Sequence, residues 1–304
     1  MASGAMTAQA DITIETVAVG NPGNAADTST YGAVAYSYDI GKYEVTNSHY
    51  AAFLTAKAAT DTFSLYNTNM GSNAVGGITQ AGSSGSYTYA VKSGFANKPV
   101  SFVSFWDATR FTNWLSNSQG SGDTETGSYA LTSGGISANS IARNVGATWV
   151  VASENEWYKA AYYDPNKGGP SVGGYWLYPT KAGSISTEDA NYGNVIRTLT
   201  DVGIYSSASS AYGTYDQGGN LWERNEQIMG GSSRGLRGGA WDTGQSQLEP
   251  AVRGANDPES ELNVIGFRVV SLAPIPEPSI YGAAMGVMAL GVVMMRRRKA
   301  RGSF

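Results

Sequence analysis

Apolar and polar positions alternate only briefly in this chain. Ile12 and Ile14, followed by Val17 and Val19, alternate with polar neighbours as a half-buried strand does, and residues 34–40 read as a second strand. Helical spacing recurs in three places. Residues 46–59 set Tyr50, Phe53 and Leu54 at i, i+3 and i+4, and residues 106–115 gather Trp106, Phe111, Trp114 and Leu115 on one side. Residues 153–162 open with Ser153 and, three positions on, Glu156, the signature of a capping box. Gly/Ser-rich runs at 71–86, 119–140 and 168–174 are each followed by apolar, aromatic-rich sequence, as loops inserted into one fold are. No internal repeat stands out. Short strands, few helices and long connections predict one irregular α+β domain, low in regular structure, over residues 11–272.

Both ends depart from this pattern. Residues 1–10 are small and uncharged and finish in Ala8-Gln9-Ala10 ahead of Asp11, the pattern after which signal peptidase cuts. They carry neither a basic nor an apolar stretch, so they read as the remnant of a secretory signal peptide, the alternative being an unrelated flexible start. At the other end, Pro274-Ile275-Pro276-Glu277-Pro278-Ser279 precedes sixteen uncharged residues, 280–295, and then Arg296-Arg297-Arg298-Lys299. Sixteen helical residues span about 24 Å against a hydrocarbon core of about 30 Å, a marginal anchor whose basic end stays cytoplasmic. The segment 273–304 resembles the PEP-CTERM sorting signal of secreted bacterial proteins. The resemblance implies an exosortase-type sorting enzyme as partner and a membrane stage through residues 280–295 before processing. An ordinary C-terminal membrane tail is the alternative, and both readings place the body outside the cytoplasm, secreted or held at the cell surface.

Composition narrows the chemistry. Charged residues are 14% of the chain, Gly is 39 of 304 positions, and Tyr is abundant at 19, which suits a loop-rich, extracellular-type surface. Seven Trp and 41% apolar residues are enough for a real core. The net charge is −4, but five basic residues lie in the last nine positions, and without them 15 basic residues face 24 acidic ones. So acidic a body lacks the footprint for a phosphate backbone, and no nucleic acid partner is expected. The absence of cysteine excludes disulfides, thiolate metal sites and cysteine nucleophiles. The single histidine, His49, excludes a histidine cluster and reads as a surface or partly packed residue of the first helix.

Residues 216–223 hold the best site candidate. Carboxylates at the two ends, Asp216 and Glu223, bracket Gly218 and Gly219, whose freedom lets backbone carbonyls turn inward as hard oxygen ligands of the kind calcium prefers. The alternative is a polar turn whose Asp and Glu bond to backbone amides.

Six motifs in order resemble the formylglycine-generating-enzyme, or sulfatase-modifying-factor, domain family, whose fold is related to C-type lectins. They are Gly41-Lys42-Tyr43-Glu44-Val45-Thr46-Asn47; Pro99 to Ala108 with Asn113-Trp114-Leu115; Val151-Ala152-Ser153-Glu154-Asn155-Glu156-Trp157; Tyr212 to Glu223; Arg237-Gly238-Gly239-Ala240-Trp241; and Arg253 with Ile265-Gly266-Phe267-Arg268-Val269. The match runs from about Tyr36 to Val270. It implies an irregular C-type-lectin-like fold of short strands. It also implies structural calcium held by the side chains of Asp216 and Glu223 and the carbonyls of Gly219 and Leu221, with a second ion near Asn191 and Tyr192, where this chain is shortened. Most of the aromatics are expected in the core, and Glu156 and Arg268 are expected to satisfy buried partners.

The family's signature activity oxidises a substrate cysteine to formylglycine with copper held by two cysteines downstream of the Arg-Gly-Gly motif. Here Trp241-Asp242-Thr243-Gly244-Gln245-Ser246-Gln247-Leu248 fills that stretch without a thiol, so no copper site and no such oxidation are expected. Relatives using non-haem iron need a histidine cluster, which one histidine does not supply. Asp242, Glu249, Asp257, Glu259 and Glu261 offer carboxylates, and nothing in their spacing singles out an acid/base pair. Two readings follow. One is a calcium-stabilised, non-catalytic binding or scaffold module, showing Trp241, Asp242, Gln245, Arg253 and Asn256 to a glycan, a matrix polymer or a protein ligand, on the surface that lectin-like relatives use. The other is an enzyme of the same family with cysteine-independent chemistry, an oxidase or a hydrolase.

Overall fold

The computed structural model describes residues 11–272. The expected signal-peptide remnant (1–10) and sorting signal (273–304), with its apolar stretch 280–295, lie outside the described residues. In chain order the strands are β1 (Thr16–Val19), β2 (Tyr38–Gly41), β3 (Ile78–Ala81), β4 (Thr88–Val91), β5 (Trp149–Val151), β6 (Tyr163–Asp164), β7 (Gly174–Tyr175), β8 (Trp222–Met229), β9 (Ser233–Arg237), β10 (Gly254–Asn256), β11 (Ile265–Gly266) and β12 (Val269–Ser271). The helices are α1 (Asn47–Lys57), α2 (Asn69–Ser72), α3 (Phe105–Ser116), α4 (Ser133–Ser137) and α5 (Glu154–Tyr162), with a 3₁₀ turn at Gln245–Leu248. Short strands and few helices make the irregular α+β architecture that the sequence predicts. Among these helices none is long and apolar enough to cross a membrane.

Two four-stranded sheets organise the body. The first is antiparallel in the order β1-β2-β12-β5, so the last strand of the body sits between the second and the fifth. The second runs β10-β9-β8-β11, with β8 and β11 parallel. Hairpins β3-β4 and β6-β7 stand apart from both.

The three expected helices form for local reasons, each behind a reciprocal cap. Ser153 Oγ accepts from Glu156 N at 3.3 Å while Ser153 N donates to the Glu156 carboxylate at 2.7 Å, and Ser104 and Asp107 repeat the exchange at the start of α3. At α1 the third-position group is His49, whose Nδ1 accepts from Thr46 N at 3.4 Å. The sole histidine is therefore a capping group, half-buried against the helix it starts.

Expected strands shrink where side chains take the backbone first. Residues 12–14 stay outside the sheet, where the Gln119 amide binds both Ile12 N (2.7 Å) and Ile12 O (2.9 Å); Glu15 O accepts from Lys42 N at 2.9 Å, and β1 begins at Thr16. Val34 is likewise held by Asn24 Oδ1 and Gly23 N, and β2 begins at Tyr38. Two expected loops contain structure. Residues 71–86 include the end of α2 and the strand β3, and residues 119–140 include α4, capped by Thr132.

Packing centres on α3, which is buried from Phe105 to Leu115. Phe111 meets Phe53 and Phe267 edge-on at 5.4 and 5.5 Å between ring centroids, and Trp114 closes on Phe53 at 5.4 Å. Such pairs add about 0.5–1.5 kcal/mol each beyond the area they bury. Arg224, Arg234, Arg237 and Arg268 are also fully buried, each exposed by 1% or less. Arg268 pairs bidentately with Glu223 (2.5 and 2.6 Å) and donates to the carbonyls of Gly41 and Tyr215, both at 2.9 Å. Trp157 Nε1 donates to the same Glu223 at 2.8 Å. Glu156 takes Arg143 in the same forked way, so both polar residues inside apolar motifs satisfy buried partners.

Removing one member of a buried ion pair strands its partner in a medium of low polarity. Arg268→Met should lower unfolding stability by about 3–5 kcal/mol in urea titrations, and Glu223→Gln combined with Arg268→Met should recover part of that loss. A loss under about 1 kcal/mol for Arg268→Met would show that the pair does not hold these segments together.

Candidate calcium loop and ligand surface

The segment 216–221 is bent by three successive demands on the backbone. Asp216 (φ 60°) and Asn220 (φ 58°) lie in the left-handed region, which short polar side chains tolerate, and Gly219 (φ 86°) lies there too. At Gly219 a Cβ would stand 2.3 Å from the Asn191 carbonyl oxygen, so only glycine fits. Asn220 is the hub of the bend. Its N–H bonds the Asn191 carbonyl at 2.8 Å, its Oδ1 accepts from Thr200 N at 3.1 Å and Asn191 Nδ2 at 3.3 Å, and its Nδ2 donates to Glu44 at 3.1 Å.

Oxygen accumulates here without matching donors. Asp216 accepts from Gly203 N at 2.6 Å, while Glu44 Oε1 and Asn191 Oδ1 are buried with no hydrogen-bond partner. Among the described residues no donor reaches the carbonyls of Gly219 or Leu221. Burial pushes the Asp216 carboxyl up to about 6, and burial with the nearby charges of Asp216 and Glu223 pushes Glu44 well above the carboxylate range. Three carboxyls face one buried guanidinium, Arg268. Protons or a cation must balance the excess.

This donor set fits a hard cation. Asp216, the Gly219 and Leu221 carbonyls, Asn191 Oδ1 and Glu44 Oε1 are all oxygens, as calcium requires. No group of three or more His, Cys, Asp or Glu among the described residues is placed to hold a metal, so an ion here would draw largely on carbonyl and amide oxygens. Glu223 is the member that fits least, because Arg268 takes both of its oxygens. Tyr192, beside Asn191, is buried with its hydroxyl on the Ile185 carbonyl at 3.3 Å.

The expected ligand residues fall into two groups. Trp241, Asp242 and Gln245 lie in the turn after β9. Trp241 is half-buried with its indole N–H unpartnered, Asp242 and Gln245 are exposed, and Gln245 Nε2 donates to Tyr178 Oη at 2.9 Å. Trp241 N bonds the Asn220 carbonyl at 2.9 Å, and Gly193 and Asn194 donate to the Thr243 and Trp241 carbonyls at 2.7 and 2.8 Å. The candidate calcium loop and this turn therefore share a backbone. Arg253 is committed elsewhere, with its fork on Glu154 (2.6 Å twice) and its guanidinium over the Tyr31 ring at 4.7 Å. Asn256 pairs with Arg234 in β10.

Of the acidic residues whose spacing was uninformative, Glu261 acquires a partner. It lies against Asp107, which already serves as the reciprocal cap of α3, and Asn67 Nδ2 holds it at 2.5 Å. Burial, then the Asp107 charge, pushes the Glu261 carboxyl up to about 8. Asp107 was legible as a cap of the Ser-x-x-Asp type, but its meeting with Glu261, 154 positions along the chain, left no trace in sequence spacing.

The sulfatase-modifying factor enzyme 1-like domain matches residues 7–273. Hercynine oxygenase of Mycolicibacterium smegmatis is 28% identical over 149 residues, which cover 40% of this chain and 34% of that protein. The hercynine oxygenase of Mycobacterium tuberculosis is 27% identical over 145 residues, covering 40% and 33%. The chain thus spans about a third of the length of these curated relatives. Among solved structures, Treponema denticola variable protein 1 aligns with a TM-score of 0.57 at 18% identity, covering 84% of this chain and 94% of that one. CarF aligns at 0.53 with 20% identity, covering 85% and 98%. At these identities the likeness is one of fold.

The Glu261–Asp107 pair predicts a pH dependence. A carboxyl at 4.5 when unfolded and about 8 when folded binds more protons in the native state, so its contribution is full at acid pH and is lost as pH rises from about 4.5 through about 8. Urea midpoints measured across that window should fall with pH in the parent protein and fall less in Glu261→Gln. Parallel profiles for the two proteins would contradict the assignment.

Proposed function

The chain belongs to the sulfatase-modifying factor enzyme 1-like family, and from that membership we propose that it is a non-catalytic binding or scaffold module, stabilised by calcium and displayed outside the cytoplasm. The observation that carries this reading is the turn of residues 241–248. It occupies the place where the sequence resemblance puts copper-binding cysteines, and it offers Trp241, Asp242 and Gln245 instead. With no thiol in the chain and its one imidazole spent on capping α1, the donors for soft copper or for a histidine-bound iron are missing from the sequence itself. A rigid aromatic beside adaptable polar side chains on a loop suits recognition. The exposed side chains of Val195 and Ile196, next to the bonded segment 193–194, add apolar area there.

Calcium enters this reading as a structural ion. Asp216, the Gly219 and Leu221 carbonyls, Asn191 and Glu44 would hold it, and Asn220 would carry its effect to Trp241 through the shared backbone bond. Secretion or surface sorting rests on the ends of the sequence, with an exosortase-type enzyme as the partner of residues 273–304. The likeness to hercynine oxygenases favours a second reading, an oxidase or hydrolase with altered chemistry, and Glu261–Asp107 is the carboxyl pair it would draw on.

Metal analysis of the purified protein should find calcium. Chelation should lower Tm by roughly 5–10 °C if the ion is held at about a hundred times its Kd. Asp216→Ala should start with the lowered Tm and respond little to chelator. Protein without calcium, or equal chelator sensitivity in parent and variant, would remove the ion from this loop.

A further inference from the structure

Away from the calcium loop, two cavities meet along one wall. One, of about 620 Å³, lies among Ser133, Ser137, Asn139 and Asp257; the other, of about 350 Å³, lies among Phe63, Trp106, Asp107 and Glu261; Ile136 and Glu259 line both. Their common boundary makes a groove that passes the start of α3.

Three features of this groove ask for the same chemistry. Phe63 is 42% exposed, an aromatic face turned outward, and the Arg110 guanidinium backs it at 4.6 Å. Arg110 is itself fixed by Glu125 at 2.7 and 3.1 Å, so the ring is braced and the cation already neutralised. Asp107 and Glu261 bring carboxyl oxygens side by side, positioned by Ser104 and Asn67. Trp106, only 3% exposed, lines the same cavity with an indole N–H that has no acceptor.

A sugar ring meets all three. Its C–H face stacks on an aromatic ring, its hydroxyls exchange hydrogen bonds with carboxyl groups, and a hydroxyl oxygen accepts from an indole. Asp257 and Glu259, both exposed, make the lining acidic, which repels uronic, sulfated or phosphorylated chains. Peptide grooves rely on apolar anchor pockets or on strand addition, whereas the larger cavity here mixes serines, an asparagine and two acidic side chains with its apolar lining. We propose that this groove binds an uncharged or amino-sugar glycan chain, with one ring stacked on Phe63 and its hydroxyls held by Glu261. This site is separate from the turn of residues 241–248, so either can fail without the other.

Isothermal titration of the full-length protein with neutral pentasaccharides of α- and β-linked glucose, a glucosamine pentamer, a pentagalacturonate and a pentalysine peptide tests the proposal. Binding is expected for at least one neutral or amino-sugar probe and not for the galacturonate. Phe63→Ala, which removes an outward side chain and leaves the core intact, should weaken it at least tenfold. Glu261→Gln should weaken it comparably, and Val172→Ala, an exposed side chain outside both sites, should bind as the parent does. No heat with any neutral or amino-sugar probe overturns the proposal, as does binding undiminished in Phe63→Ala. Pentalysine binding that depends on Glu261 and not on Phe63 would make the groove a basic-peptide site instead.

Discussion

One buried ion pair, Glu223–Arg268, joins distant parts of this body. Glu223 leads β8, Arg268 lies between β11 and β12, and their forked contact is reinforced by the Trp157 indole from α5 and by the carbonyls of Gly41 and Tyr215. Stretches around residues 41, 157, 215–223 and 268 thus meet at one fully buried pair. The desolvation of such a pair is expensive, and it is recovered only when every remaining donor finds an acceptor. Here Arg268 places its donors on one carboxylate and on the backbone oxygens of Gly41, at the end of β2, and Tyr215. The pair specifies which loops lie together, and with strands this short no extended ladder could do so.

The same device recurs wherever regular structure is sparse. Arg237 binds Glu154 and the Pro250 and Val252 carbonyls, Arg234 binds Asn139 and the Glu226 and Ile141 carbonyls, and Arg143 bridges Glu156 and Glu226. A planar fork with five donors suits this work, since it can satisfy several carbonyls of an irregular chain at once. In a protein without cysteine, these arginines tie the long connections that disulfides tie in many secreted domains.

What the sequence discloses follows from how local each cause is. The α1, α3 and α5 starts were readable because their caps lie within four residues of each other. Even there His49, as a capping acceptor, was missed, since Glu or Gln is the usual partner. The ends of β1 and β2 were not readable, because the competing groups, Gln119 and Asn24, reach back from elsewhere. The roles of Glu156 and Arg268 as buried partners were legible from polar residues set inside apolar motifs, although which partner each would choose was not. The fold class and the family were legible from the order of six motifs. The loop of residues 216–223 was visible as an oxygen-rich turn, yet the commitment of Glu223 to Arg268 and the unsatisfied oxygens of Glu44 and Asn191 exist only once the chain has folded. Arg253, expected on the ligand surface, turns instead to Glu154 and Tyr31.

Function then depends on what this scaffold leaves outside its network. The turn at Trp241 is bonded to Asn220, so an ion at the oxygen-rich bend and a ligand at the surface would share one rigid piece of backbone, as a recognition module needs. A redox enzyme built on copper(I) held by thiolates or on iron held by a histidine cluster would need donors beyond the single histidine and absent cysteine of this sequence. Oxygen uptake separates the two directly. The purified protein, supplied in turn with copper(I) and iron(II) and offered a cysteine-containing peptide or hercynine, should consume no oxygen above the metal-only background. Uptake proportional to substrate, lost on Asp216→Ala or Glu261→Gln, would contradict the binding-module account and place catalysis at the residue whose loss abolishes it.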